Sequence, residues 1–196
     1  MRHRLDVGNP LVLASGSPRR RELLALAGIP FVVDVPSIDE ERYAGLDPHE
    51  FARQLSLDKA LAVAPRHPSR IVLGADTVVV MGTIRYGKPR DAADAARILG
   101  ELAGHKHTVI TAVTLIFPGL PPNTQHETTE VNIRKMDREY IARYVASGEP
   151  LDKAGAYAIQ DRGSLIVESI RGDFYNVVGL PLVLLYQLLR QYNVTL

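Results

Sequence analysis

Short apolar runs alternate along this chain with charged stretches of helical period. Residues 11–14, Leu-Val-Leu-Ala, read as a buried strand that Ser15-Gly16-Ser17-Pro18 breaks. Residues 19–27 read as a helix with Leu23, Leu24 and Leu26 as its apolar stripe and Gly28 past its end. Residues 31–35 form a second strand, and residues 50–64 a helix with Phe51, Leu55 and Leu61 near helical spacing. Residues 71–76 and 77–81 read as strand, with Gly82 opening a turn. Residues 91–102 read as a helix ended by Gly104. The β-branched run 107–117 and the alternating run 127–134 predict a hairpin across the loop 118–125. A helix over 137–146, a strand over 165–170 and a terminal helix over 180–192, with Pro181 in its first turn, complete the pattern. Alternating helices and buried strands predict an α/β fold with a mixed sheet flanked by helices.

Composition narrows the classes. The 196 residues, 46% of them hydrophobic, suffice for one domain with a real core. A formal net charge of +1 supplies no broad basic face for nucleic acid or a membrane, so anion binding must come from a local cluster. The absence of cysteine excludes disulfides, thiolate metal sites and a cysteine nucleophile. The apolar run 11–14 is far shorter than a signal-peptide core, and the stretch 180–189 is too short to span a bilayer, which needs about 20 residues. The expectation is a cytoplasmic protein whose partner is a small molecule, with neither nucleic acid nor membrane as partner. Six histidines without HxxxH-type spacing argue against a zinc hydrolase.

The sharpest local signal is Ala14-Ser-Gly-Ser-Pro-Arg-Arg-Arg-Glu22. Small residues at 15–17 let a ligand approach the backbone, Ser17 suits an N-cap and Pro18 a first helical position. Three arginines then occupy a first turn whose dipole disfavours cations by about 0.3–1 kcal/mol each. Free backbone N–H groups and guanidinium forks together make a polyphosphate site. A solvated basic turn is the alternative, and the strand–turn–helix placement favours the ligand.

Other residues carry chemistry by position. Asp76 ends the apolar run 71–75, and ligands of open α/β sheets collect beyond the carboxyl ends of strands; an Asp capping the next turn is the alternative. Asp39-Glu40-Glu41, an ordinary solvated run by itself, also offers the one or two carboxylates that Mg²⁺ takes beside substrate phosphates. Lys59 reads as a helix-surface lysine. Lys88, between a turn and a helix, is better placed to meet phosphate. Gln160 reads by default as a surface glutamine; its amide also carries a donor and an acceptor that could in principle meet N3–H and a carbonyl of uracil or thymine.

The segment 14–24 resembles the N-terminal signature of the Maf family. The resemblance continues, in family order, at Ile38-Asp39-Glu40, Gly74-Ala-Asp-Thr77, Gly87-Lys-Pro89, Asp152-Lys-Ala-Gly-Ala-Tyr157 and Val178-Gly-Leu-Pro-Leu182. It implies one domain over 1–196 with two lobes around a central cleft, similar to the inosine-triphosphate pyrophosphatase fold. It further implies a nucleoside triphosphate pyrophosphatase using Mg²⁺ or Mn²⁺, with Asp76 as proton acceptor, Glu40 and Asp76 as metal ligands, and Lys59 and Lys88 neutralising the triphosphate. Ser15, Ser17, Arg19 and Arg20 are the implied substrate-binding residues. The segment 152–160 resembles the dTTP/UTP branch, so Arg19, Thr77 and Gln160 carry the implied pyrimidine specificity. Ala158 stands where relatives of that branch often have glycine, which bears on the preference among UTP, dTTP and CTP. Two alternatives remain, a 7-methyl-GTP pyrophosphatase and a non-catalytic nucleotide-binding regulator of cell division. A homodimer follows from family analogy alone.

Overall fold

A computed structural model describes residues 5–39, 43 and 45–195. Seven strands hydrogen-bond in the order β2-β1-β3-β5-β6-β7, with β4 added to β3. They are β1 (Leu11–Leu13), β2 (Phe31–Val33), β3 (Val72–Met81), β4 (Ile84–Tyr86), β5 (Lys106–Ile116), β6 (Asn123–Ile133) and β7 (Val167–Arg171). The helices are α1 (Pro18–Leu26), α2 (Pro48–Val63), α3 (Ala92–Leu102), α4 (Arg138–Ala146), α5 (Phe174–Val178) and α6 (Leu182–Gln191). The mixed α/β class expected from the pattern is what the chain adopts: β1 pairs in parallel with β2 and β3, whereas β3–β4 and β6–β7 are antiparallel. No described helix is long and apolar enough to cross a membrane.

The chain divides into two compact units, each assembled from separate segments. The first comprises residues 1–76, 111–127 and 179–196, the second residues 77–110 and 128–178. The division falls inside β3, β5 and β6, which explains why no change of composition marks it.

In the first unit, α2 lies on the sheet through Ala60 and Val63, which pack with Val12, Ala14 and Val72. The approach is close. A Cβ on Gly74 would fall 2.2 Å from the Ser56 carbonyl oxygen and 2.9 Å from the Ala60 nitrogen, so only glycine fits there. The buried Ser56 hydroxyl bonds the Gly74 carbonyl at 3.2 Å and Thr114 Oγ1 at 2.8 Å, tying helix to strand. In the second unit, Ala95, Ile98, Leu99 and Leu102 of α3 and Ile141, Tyr144 and Val145 of α4 share a core with Val79, Val109, Val131 and Ile133.

Local signals set most element ends. Ser17, Asp47, Asp91 and Asp137 cap α1 to α4 with their side chains, as small polar residues at helix starts do. The differences from expectation are confined to short elements. Strands 71–76 and 77–81 are one strand, β3. The hairpin loop is shorter than 118–125, because β6 already begins at Asn123, where the Thr124 hydroxyl bonds Thr114 at 2.8 Å. Residues 161–165 form a 3-10 turn ahead of β7, with Leu165 in solvent. The three-residue β4 and the five-residue α5 are too short for periodicity to reveal.

Candidate active site

The first unit gathers the expected phosphate-binding turn and the acid of β3. Leu13 pairs with Leu73, and the Ala14 nitrogen bonds the Leu73 carbonyl at 2.8 Å, so the Ser15–Ser17 turn leaves β1 level with Gly74, just before Asp76. Ser17 caps α1 and Pro18 occupies its first turn, as the capping pattern predicts. The Ser15 hydroxyl accepts from the Ser17 nitrogen at 3.2 Å and from Arg20 Nη1 at 3.0 Å. Arg20 also donates through Nε to the Gly179 carbonyl at 2.9 Å. The three arginines therefore differ: Arg20 is buried and braces the turn against the segment before α6, Arg19 is half-buried, and Arg21 is exposed.

Lys59 is not a solvated helix residue. Its Nζ stands 2.7 Å from Asp76 Oδ1, and the two side chains are 15% and 10% exposed. Ser56 and Lys59 are one turn apart on α2, and Gly74 and Asp76 are two apart on β3. Each pair shares a face, so the close helix–strand contact at Gly74 brings the ammonium to the carboxylate. Asp34, at the end of β2, accepts from Arg66 and His67, and these bonds, Arg66 first, hold its carboxyl down at about 2. Asp39 is described and exposed, whereas Glu40 lies outside the described residues.

Thr77, Lys88 and Gln160 belong to the second unit. Lys88 is exposed in the loop after β4, and the neighbouring Gly87 carbonyl accepts from the Gly155 nitrogen at 3.1 Å. That bond joins the Gly87–Lys88 loop to the segment 152–157. Residues 154–156 form a 3-10 turn in which Gly155 (φ 74°) and Ala156 (φ 57°) are left-handed, where the sequence allows either a tight strand or a turn. Tyr157 is buried and its hydroxyl lies 2.7 Å from His107 Nε2. Burial pushes the Tyr157 hydroxyl well up and the His107 imidazole down to about 4. Thr77 and Gln160 are half-buried.

Sequence reasoning missed Tyr144 and Glu149. The Tyr144 hydroxyl donates to Glu149 Oε1 at 2.8 Å and accepts from the Ala158 nitrogen at 3.2 Å. Glu149 also accepts from the Gly163 and Arg162 nitrogens at 2.9 and 3.2 Å. No local signal marks them, because apart from each other their partners are backbone nitrogens 13 and 14 residues away.

A parallel strand end carrying a small-residue turn, a capped helix start, buried Arg20 and a Lys–Asp pair defines an α/β protein equipped for phosphate chemistry. The Maf family profile, described as Maf-like protein, matches residues 10–192, and the chain belongs to that family. It is 50% identical to the dTTP/UTP pyrophosphatase of Symbiobacterium thermophilum over 183 residues, 93% of this chain and 94% of that one. It is also 50% identical to that of Moorella thermoacetica over 94% of this chain and 95% of that one. For Koribacter versatilis the figures are 46%, 97% and 98%. Among solved structures, a nucleoside-triphosphatase (dITP/XTP pyrophosphatase) of Mycobacterium abscessus matches 65% of this chain and 75% of that one, at 16% identity and a TM-score of 0.42.

Proposed function

We propose that this protein hydrolyses dTTP and UTP to the nucleoside monophosphate and pyrophosphate. The observation that carries the reading is the Lys59–Asp76 pair, held where β3 passes the Ser15–Arg20 turn. Its support is the name shared by relatives that match over nearly their whole length. Asp76 takes the proton of the water that attacks the α-phosphorus. The α–β anhydride bond breaks and pyrophosphate leaves. Lys59 holds Oδ1 and so fixes the rotation of that carboxylate. Ser15, Ser17 and Arg19 bind the triphosphate, Arg20 braces their turn, and Lys88 neutralises phosphate charge. Arg19, Thr77 and Gln160 select the pyrimidine.

The donor set fits a divalent ion of the magnesium kind. The described residues hold no cluster of three His, Asp or Glu side chains that would seat a metal alone. Mg²⁺ needs only one or two carboxylates when substrate phosphates complete its shell. Asp76 supplies one carboxylate, and Glu40, outside the described residues, is assigned as the other. A bound ion would neutralise charge on the phosphate oxygens.

Pyrophosphate release from dTTP, UTP, CTP and 7-methyl-GTP, with Mg²⁺ or Mn²⁺, tests the reading beside an Asp76→Asn variant. The expected result is turnover of dTTP and UTP that the variant loses. Preference for 7-methyl-GTP would move the protein to the other branch of the family, and binding without turnover would make it a regulator. An active Asp76→Asn variant would remove Asp76 as the base.

A further inference from the structure

The loop that carries Gln160 is held at both ends by one half-buried carboxylate and one buried phenol. Glu149 takes the Gly163 nitrogen on Oε1 at 2.9 Å and the Arg162 nitrogen on Oε2 at 3.2 Å. Tyr144 takes the Ala158 nitrogen at 3.2 Å and returns its own proton to Glu149 Oε1 at 2.8 Å. Residues 158–163 are thus pinned by three bonds to Tyr144 of α4 and to Glu149 just past its end, and a fourth bond joins those two side chains. The loop closes on itself tightly: a Cβ on Gly163 would lie 2.1 Å from the Ala158 carbonyl oxygen and 2.9 Å from the Tyr144 hydroxyl. Glu149 is itself held, because its nitrogen donates to Ser147 Oγ at 3.3 Å and Lys153 Nζ donates to its carbonyl at 2.6 Å.

The backbone in and just before this clamp is costly. Ala156 (φ 57°) and Asp161 (φ 52°), neither a glycine, sit in the left-handed region on either side of residues 157–160. Such residues persist only where the surroundings over-determine them, and they gather where a side chain must be aimed. Gln160 makes no side-chain hydrogen bond among the described residues, so the amide that the loop presents is not used to hold the loop.

We infer that Glu149, acting with Tyr144, is the positioning residue for base selection, holding the 158–163 loop so that the Gln160 amide meets the pyrimidine in one orientation. The inference rests on the proposed pyrimidine triphosphate activity. Uracil and thymine offer a donor at N3 and an acceptor at O4, and cytosine offers the reverse. A glutamine amide turned by a half-rotation matches either. The amide turns about its own terminal torsion, so selection between them depends on the surroundings of the half-buried Gln160, which the clamped loop keeps fixed.

The test is steady-state kinetics of Glu149→Gln and Tyr144→Phe on UTP, dTTP and CTP, with Gln160→Ala and the double variant Glu149→Gln/Gln160→Ala beside them. Either single substitution in the clamp should lower the UTP-over-CTP ratio of kcat/KM about tenfold, through KM for UTP, with kcat changed less than about twofold. In the Gln160→Ala background the same substitution should produce no further fall in that ratio. If Glu149→Gln is not recovered folded, Tyr144→Phe alone is read the same way. An unchanged ratio, an equal loss on all three substrates, or additive effects in the double variant would overturn the role of Glu149. A wild-type protein that turns over none of the three would instead sink the functional reading, and the inference with it.

Discussion

Lys59 Nζ lies 2.7 Å from Asp76 Oδ1, and both side chains are largely withdrawn from water. Taking one charge away from such a pair leaves the other buried and uncompensated, which costs more than the pair itself contributes. Lys59→Met should therefore destabilise the protein by roughly 3 kcal/mol or more. Lys59→Met/Asp76→Asn should be more stable than Lys59→Met alone. Urea midpoints of the three proteins check this, and a double variant no more stable than the single would show that the two side chains are not coupled.

Arg20 reaches two acceptors, Ser15 Oγ and the Gly179 carbonyl, from two nitrogens of one planar group. A lysine ammonium cannot reproduce that fork. Arg20→Lys, like Arg20→Ala, should lower kcat/KM at least about tenfold, or roughly 1.4 kcal/mol, for a lost charge-assisted contact. Amide exchange at Ser17 should accelerate in both variants. Wild-type kinetics in Arg20→Lys would show that the bracing of the turn is irrelevant to turnover.

Gly74→Ala places a methyl group on the α2 backbone, where neither Ser56 nor Ala60 can yield without moving the helix. The expected loss is about 1–3 kcal/mol or more, with a fall in Tm of about 2–4 °C per kcal/mol for a chain of this size. Activity should fall further than stability does, because the helix that shifts carries Lys59. Thermal melts and kcat measured on the same preparation separate the two effects.

His107 is buried against Tyr157, and burial lowers its proton affinity to about 4. The unfolded chain takes up a proton near the ordinary value of 6.5, whereas the folded protein resists until about 4. Stability is therefore undiminished above pH 6.5 and falls as pH drops towards 4, by on the order of 3 kcal/mol over that window. Denaturant midpoints between pH 7 and pH 4 should show this slope, and His107→Gln, whose amide can still hydrogen-bond the Tyr157 hydroxyl, should flatten it. A slope unaltered by the substitution would assign the acid loss to other groups.

Much of the scaffold is legible in the order of residues. Ser17 announces its helix because a cap bonds a nitrogen only three residues on, and Pro18 suits a first turn for an equally local reason. The Ser15–Arg20 segment stands out because its arginines contradict the helix dipole. Lys59, by contrast, looks like any surface lysine, and Glu149 like any residue of a Gly-Glu-Pro turn.

The sequence by itself determined the α/β alternation, the helix caps, the basic turn and membership of the Maf family, since each depends on neighbours along the chain or on motifs in order. Tertiary structure alone decided that Lys59 belongs to Asp76, 17 residues on, and that Arg20 belongs to Gly179, 159 residues on. It likewise decided that Glu149 belongs to the backbone of the Gln160 loop. The physical reason is that such partners meet only when whole elements pack, at distances set by contacts such as Gly74 against Ser56 and Gly163 against Ala158.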